Sequence, residues 1–262
     1  RADARRQPRR RMYPRGGNRA SVKADASARF ERERAAAERQ GNRRCTIQTS
    51  LGTLTAEIFE DAMPLTASHF ASLVEDEFYD GLHVHLVMPD LAIALGCPHS
   101  RDPRSPLQGT GNPPEGGWRA PDGRWEKRLP GGFVPDEHPH CPKLSNFPGT
   151  LALVGAGEPN TGGSQFFINL AHNRWADFWE RESPAAHCVF GKLDSNTHLD
   201  LARKIARAEA DDDRPIEPIK IIRVRMGTPA DHAAAAHATK QAQLQAAREG
   251  AKSQRFEYGT WD

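Results

Sequence analysis

Apolar and polar residues alternate with a period of two in several short stretches between residues 45 and 227. Residues 46–50 and 53–59 flank a turn at Leu51 and Gly52 and predict a β-hairpin. Further strands are predicted at residues 83–88, 91–95, 149–157, 165–170, 187–193 and 219–227, and helical spacing predicts helices at 64–76 and 197–210. About eight strands and two helices without a repeated β-α-β unit favour a mainly β fold, a β-barrel capped by helices.

The alternating region sets the domain organisation. We predict a basic N-terminal extension over residues 1–44, one barrel domain over 45–227 and a C-terminal helical extension over 228–262, which is rich in Ala and Gln. A short exposed helix is predicted over 28–40. Residues 97–149 are dense in Pro and Gly and are predicted to be mostly loop, which at this length indicates a functional segment or an insertion.

Apolar runs are only a few residues long, far below the roughly 20 residues that a membrane helix needs, so no membrane span is predicted. The four cysteines, Cys45, Cys97, Cys141 and Cys188, lie far apart and form no CxxC pair. We interpret them as reduced thiols of an intracellular protein. An Arg-rich, acid-poor start is also typical of a product of organelle import, so mitochondrion and plastid are candidates and the compartment stays open.

Charge is distributed unevenly along the chain. Residues 1–44 hold 15 Arg and Lys against 5 Asp and Glu, whereas residues 45–227 hold 17 against 25. An arm of this composition cannot fold alone and is suited to an anionic partner. We predict that the arm binds an acidic protein surface or RNA or another polyanion, with Arg9, Arg10 and Arg11 of its RRQPRRR run among the contacts.

Two motifs carry a family resemblance. FYDGLHVHLV at residues 78–87 and GEPNTGGSQFFINL at residues 157–170 resemble strands of the cyclophilin family of peptidyl-prolyl cis-trans isomerases. The resemblance spans about residues 45–227. It implies a closed eight-stranded antiparallel barrel with a helix at each end and a substrate groove on the outer wall.

The family's reaction is rotation about an X-Pro bond, whose barrier of about 18–20 kcal/mol comes from amide resonance and whose catalysis requires no cofactor. The family places a catalytic arginine where this chain has Leu86, which has neither a donor nor a charge. Losing one preorganised donor typically costs on the order of 10² to 10³ in rate. We therefore predict no catalytic residue of the usual kind and lost or greatly weakened activity.

The predicted function is accordingly that of a cyclophilin-like structural or interaction subunit within a larger protein assembly. Two alternatives stay open. One is an active isomerase in which Arg119, Arg124 or Arg128 replaces the missing cation. The other is an RNA-associated subunit, ribosomal or ribonucleoprotein, that binds through the basic arm.

Other groove positions follow from the resemblance. It implies that Gln165 would hydrogen-bond a substrate backbone, Phe167 would form the floor of a proline pocket, and Trp175 and His187 would form its rim. A purely structural role for Gln165 and Phe167 remains the alternative. Where the family has an aromatic residue, methionine, glutamine and asparagine, this chain has Leu91, Ala92, Ala94 and Gly155.

Two insertions, residues 116–132 and 177–186, flank the expected groove. Aromatic residues on exposed loops are typical interface anchors, so we predict that these loops contact a partner or cap the groove through Trp118, Trp125, Phe178 and Trp179. Five residues are of zinc-ligand type, but their spacing matches no standard zinc site: Cys97, His99, His138, His140 and Cys141. No metal site and no cofactor are predicted.

Overall fold

The computed structural model describes residues 41–180 and 187–227, together with Ala28 and Arg32. Those two residues are helical, but the rest of the predicted helix at 28–40 lies outside the described residues. The same holds for Arg9, Arg10 and Arg11, for residues 181–186 of the second insertion and for the C-terminal extension. Predictions for these segments stay predictions.

Residues 41–180 and 187–227 contain twelve strands, two α-helices and three short 3-10 helices, the last at Pro98–Arg101, His138–His140 and Arg174–Ala176. The strands are β1 (Arg43–Thr49), β2 (Gly52–Ile58), β3 (Leu86–Met88), β4 (Ala92–Leu95), β5 (Gly117–Arg119), β6 (Trp125–Lys127), β7 (Thr150–Leu153), β8 (Phe166–Asn169), β9 (Val189–Leu193), β10 (Ala210–Asp211), β11 (Arg214–Pro215) and β12 (Ile221–Met226). The α-helices are α1 (Pro64–Glu75) and α2 (Asn196–Ala206). No helix of the described residues is both long enough and apolar enough to cross a membrane.

Eight strands form one antiparallel sheet in the order β12-β1-β2-β9-β7-β8-β4-β3, while β5-β6 and β10-β11 form separate hairpins. The prediction of a mainly β fold with eight antiparallel strands and two helices is confirmed, but the closed barrel is wrong. The sheet is an open half-barrel, because β3 and β12 do not pair as strands within the described residues.

The reason for this opening lies beside β3. The edge N–H of Val87 donates to the carbonyl of Asp213 in the turn between β10 and β11, at 2.7 Å, so this turn rather than β12 occupies that part of the edge. Irregular backbone before β3 instead meets the start of β12. Gly81 N–H donates to Ile221 O and Val84 N–H donates to Ile219 O, both at 2.9 Å.

The main core lies between the sheet and the two helices. Alternation along β1 buries Cys45 and Ile47 completely. Aromatic rings fill the centre, where Phe70 of α1 contacts Phe166 of β8 with ring centroids 5.5 Å apart and Phe190 of β9 at 5.1 Å. Edge-to-face packing of this kind adds to the burial of apolar area.

Helix α1 begins with Pro64 at its first turn and has no side-chain cap from the preceding residue. Its free N–H groups are met by the long Pro- and Gly-rich loop instead. The buried carboxylate of Glu137 accepts from Leu65 N–H at 2.6 Å and from Thr66 N–H at 2.8 Å. A carboxylate at a helix N-terminus is stabilised by the helix dipole, so this contact fastens the loop to the core.

The β5-β6 hairpin packs on the other face of α1. Trp118 donates its indole N–H to Ser68 Oγ at 3.0 Å and lies edge-on to His69 with ring centroids 4.9 Å apart. Arg128 Nε donates to His69 Nε2 at 2.9 Å, so the imidazole must be neutral at that nitrogen. Burial, assisted by the positive charge of Arg128, lowers the pKa of His69 to about 3.

Because His69 is buried in its neutral form, the free energy of unfolding should decrease as the pH is lowered. The unfolded chain has a pKa near 6.5 at position 69, so between pH 7 and pH 5 it takes up a proton that the folded chain refuses. By pH 5 the loss is about 2 kcal/mol from this residue. Urea unfolding of a His69→Gln variant, which keeps an acceptor for Arg128, should therefore show a correspondingly smaller decline between these pH values.

The exposed His172, replaced by glutamine, is the matched control and should keep the native pH dependence. An equal decline in the native and His69→Gln proteins would contradict a neutral buried imidazole.

Candidate functional site

A groove of about 450 Å³ lies on the outer face of the sheet beside β3, β4 and β8. Strand register places its apolar floor, because Leu86 pairs with Ala94, Ala94 pairs with Phe167, and Phe167 pairs with Ala152. These four residues therefore form one row across adjacent strands on one face of the sheet. Small side chains on both sides of Phe167 leave room above its ring.

Seven of the eight residues predicted for the groove line it: Leu91, Ala92, Ala94, Gln165, Phe167, Trp175 and His187. The eighth, Gly155, lies in a smaller neighbouring cavity of about 180 Å³, beside Glu137 and Glu158. Gly155 contacts the groove only indirectly, because its N–H lies 3.4 Å from Nδ1 of His187. The structure therefore does not place Gly155 among the groove residues.

Three rings meet at one end of the groove. His187 lies edge-on to Phe167 with ring centroids 5.1 Å apart and to Trp175 at 6.1 Å. Phe167 is buried, whereas 48% of Trp175 is exposed, so one ring forms a floor and the other a rim. Burial lowers the pKa of His187. The contact of its Nδ1 with Leu153 O at 3.1 Å acts in the other direction but is the smaller effect, so the imidazole is neutral at pH 7.

The side-chain amide of Gln165 is held by the backbone of the loop at residues 109–111. Its Nε2 donates to the carbonyls of Gly109 at 3.1 Å and Gly111 at 2.8 Å, which settles the orientation of the amide. The N–H groups of the same two glycines donate to the buried Sγ of Cys97. The amide donors of Gln165 are therefore occupied by the loop, and its side chain also hydrogen-bonds His85, which lines the same groove.

Sequence reasoning missed several groove residues that come from distant loops, among them Gln108, Asn173 and Arg214. Asn173 is buried and donates to Leu91 O at 2.9 Å, which fixes the turn beside the groove. The GGSQFF motif gave the central strand, but no local pattern shows which remote loops reach it. Arg214 follows three consecutive aspartates, Asp211, Asp212 and Asp213.

The three arginines proposed as substitute cations do not line the groove. Arg128 donates to His69, Arg119 donates to Gly123 O at 3.1 Å, and Arg124 forms an ion pair with Asp122 at 2.6 Å. All three belong to the β5-β6 hairpin, which packs on α1. That hypothesis is wrong for these residues.

The possible zinc ligands do not form a site either. The part of the chain that the structure describes contains no group of three His, Cys, Asp or Glu side chains placed to hold a metal ion.

Residues 44–226 match the family model described as "Cyclophilin type peptidyl-prolyl cis-trans isomerase/CLD". This chain belongs to the cyclophilin family. The resemblance inferred from the two motifs is thus confirmed, and the matched stretch contains every residue of the groove.

Curated relatives of this cyclophilin are isomerases by name. Peptidyl-prolyl cis-trans isomerase ppi1 of Schizosaccharomyces pombe is 33% identical over 177 residues, covering 68% of this chain and 94% of the relative. A peptidyl-prolyl cis-trans isomerase of Synechococcus elongatus is 33% identical over 163 residues, covering 62% and 88%.

Solved structures agree in fold. A cyclophilin type peptidyl-prolyl cis-trans isomerase of Cryptosporidium parvum has a TM-score of 0.54 at 24% identity, covering 72% of this chain and 99% of that chain. The same protein, crystallised in the presence of the dipeptide Ala-Pro, has a TM-score of 0.53 at 23% identity, covering 71% and 99%.

The aromatic residues of the cyclophilin's two insertions differ in exposure. Trp118, predicted as a partner contact, is 1% exposed and packs on α1, so its prediction is wrong. Trp125 is 59% exposed on the same hairpin. Phe178 and Trp179 are half-buried and contact each other with ring centroids 4.8 Å apart, and Lys143 Nζ lies 5.6 Å from the centre of the Trp179 ring. A partner role for these last three residues stays a prediction.

The two tryptophans of the hairpin give a matched pair of variants. Trp118→Ala should lower the free energy of unfolding by about 3–5 kcal/mol, because it empties a buried site and removes the hydrogen bond that the indole donates to Ser68 Oγ. Trp125→Ala should change it by less than about 0.5 kcal/mol. Urea unfolding measures both values, and equal small effects would contradict a structural role for Trp118.

Proposed function

We propose that this cyclophilin binds proline-containing peptide segments in the groove and catalyses rotation about their X-Pro bond. The observation that carries the proposal is the arrangement of His187 and Trp175 beside Phe167, which forms the floor of an apolar pocket. A volume of about 450 Å³ suits a short peptide segment rather than a whole protein surface.

Polar groups at the edge of the pocket support a peptide ligand. A proline ring buries apolar surface against Phe167, while the peptide backbone on either side of it has N–H groups to donate. Gln165 Oε1, which has a second lone pair beyond the one that His85 can use, is an acceptor for such an N–H in the same groove. The dipeptide Ala-Pro used with the Cryptosporidium parvum cyclophilin is a ligand of this chemical class.

The relatives favour turnover over a purely structural role, since those compared are named isomerases. The expectation of a non-catalytic subunit rests on Leu86, which removes one donor but leaves the pocket intact. We therefore propose an isomerase in which the donor does not come from position 86. Partner subunits and RNA for the basic arm receive no support from the comparisons and stay predictions.

Phe167→Ala should abolish most of this function. The variant removes the floor that the proline ring would contact, so we expect the Kd for a tetrapeptide with a central Ala-Pro bond to rise about 10- to 100-fold. Cis-trans exchange of that peptide, followed by NMR, should slow in parallel. Peptide titration and exchange on the same samples give both values.

Phe147→Ala is the control, because Phe147 is 51% exposed and lies outside the groove. It should leave binding and exchange unchanged. Phe167→Leu keeps most of the volume and guards against loss of folding. If the native protein does not accelerate the exchange of the peptide, the proposed function is overturned, whether or not the peptide binds.

A further inference from the structure

The hairpin β10-β11 brings a charged segment to the groove. Asp212, Asp213 and Arg214 line it together with Leu86, although more than 120 residues separate them along the chain. Arg214 is the one Lys or Arg among the described residues that line the groove. The positive charge missing from position 86 is thus present at a different place on the same wall.

Arg214 is placed by a constrained backbone. Asp212 and Asp213 have φ values of 49° and 61°, as the two central residues of a type I′ hairpin turn require. Asp211 pairs with Arg214 across that turn. The residue before a proline is restricted to extended conformations, so Pro215 also limits the backbone of Arg214.

A main-chain contact fastens this hairpin to the strand that carries Leu86. Asp213 O accepts from Val87 N–H at 2.7 Å, and Val87 is the next residue after Leu86. The guanidinium lies close enough to the groove interior for its charge to act on His85. The pKa of His85 is lowered to about 4, mainly by burial and to a smaller extent by the charge of Arg214.

The guanidinium of Arg214 is also uncommitted. It has no hydrogen bond or ion pair with another described residue, and the side chain is exposed. His85 and His187, which also line the groove, both have lowered pKa values and are neutral at pH 7. No other side chain lining the groove in the described ranges combines a full positive charge with free donors.

We propose that Arg214 supplies the cationic donor to the X-Pro amide bound in this groove, in place of the arginine absent at position 86. This inference rests on the proposed isomerase function. No covalent bond forms or breaks. Twisting the amide localises an electron pair on the proline nitrogen, which can then accept a hydrogen bond that the planar amide cannot, so a fixed donor favours the twisted state.

Two features set the size of the expected effect. Arg214 is solvent-exposed, and the carboxylates of Asp212 and Asp213 lie on the same wall, so its field is partly screened. The effect should therefore be smaller than the 10² to 10³ that removal of a buried donor typically costs, and we expect about 10- to 100-fold.

The test compares kcat/KM and Kd for Arg214→Gln, using the tetrapeptide with a central Ala-Pro bond. We expect kcat/KM to fall about 10- to 100-fold. Kd should stay within about twofold of the native value, and Tm within about 2 °C. Arg207→Gln, which removes an exposed arginine outside the groove, is the control and should retain native turnover. Arg214→Lys should recover part of the rate, because it keeps the charge but loses the forked donor.

Rescue separates a missing donor from other effects. Leu86→Arg placed in the Arg214→Gln background should restore turnover, and failure to restore it would overturn the donor role. Unchanged turnover in Arg214→Gln would overturn the role of Arg214. So would a rise in Kd equal to the fall in kcat/KM, because the variant would then have lost only binding. Either outcome leaves the proposed isomerase function in place. A native protein that binds the peptide without turnover would overturn both proposals.

Discussion

The alternation of β8 connects the core of this cyclophilin with its groove. Phe166 and Ile168 point into the main core, where Phe166 packs on the aromatic ring of α1, whereas Phe167 lies on the opposite face beneath the groove. A shift of one residue in the pairing of β8 with β4 would exchange these faces. The burial that holds the fold together therefore also fixes the position of the groove floor.

A buried polar network extends this control to the rim. Asp177, almost wholly buried, accepts from Ser145 Oγ at 2.6 Å and from Asn146 N–H at 2.8 Å. Asn146 in turn accepts from Asn169 at the end of β8, and Asn173 donates to Asn169 Oδ1 at 2.6 Å. Because each member is satisfied by the next, the chain around Trp175 is held against the same strand that carries Phe167.

Local patterns were sufficient for those parts of the structure that depend on neighbouring residues. Period-two alternation predicts the strands, and the GGSQFF motif places Gln165 and Phe167, because strand faces follow directly from sequence. Trp118 was misinterpreted because its burial depends on Ser68 and His69, some 50 residues earlier in the chain. Nothing near Trp118 indicates that its hairpin packs on α1, and exposure was the default expectation for an inserted loop.

Arg214 and the open sheet were missed for a related reason. Both depend on where the β10-β11 turn docks, and the contact that fixes it joins Val87 to Asp213 through main-chain atoms that any sequence could supply. Side-chain patterns carry no information about such a bond. The aspartates do indicate a tight turn, since Asp tolerates the left-handed backbone better than most residues, but not its partner.

The open edge of the sheet and the chemistry of the groove are therefore linked. The antiparallel bridge between His83 and Lys220 sets a register in which Val87 lies opposite residues before β12, so β12 leaves the edge N–H of Val87 unpaired. Here that N–H holds the turn instead, which satisfies an exposed strand edge and carries a guanidinium to the groove wall. A donor on a proline-restricted hairpin is less rigid than one on a central strand, but it approaches the pocket from outside the sheet. The apolar floor can then be filled by Leu86, Ala94 and Phe167 without a buried charge that would require its own partner.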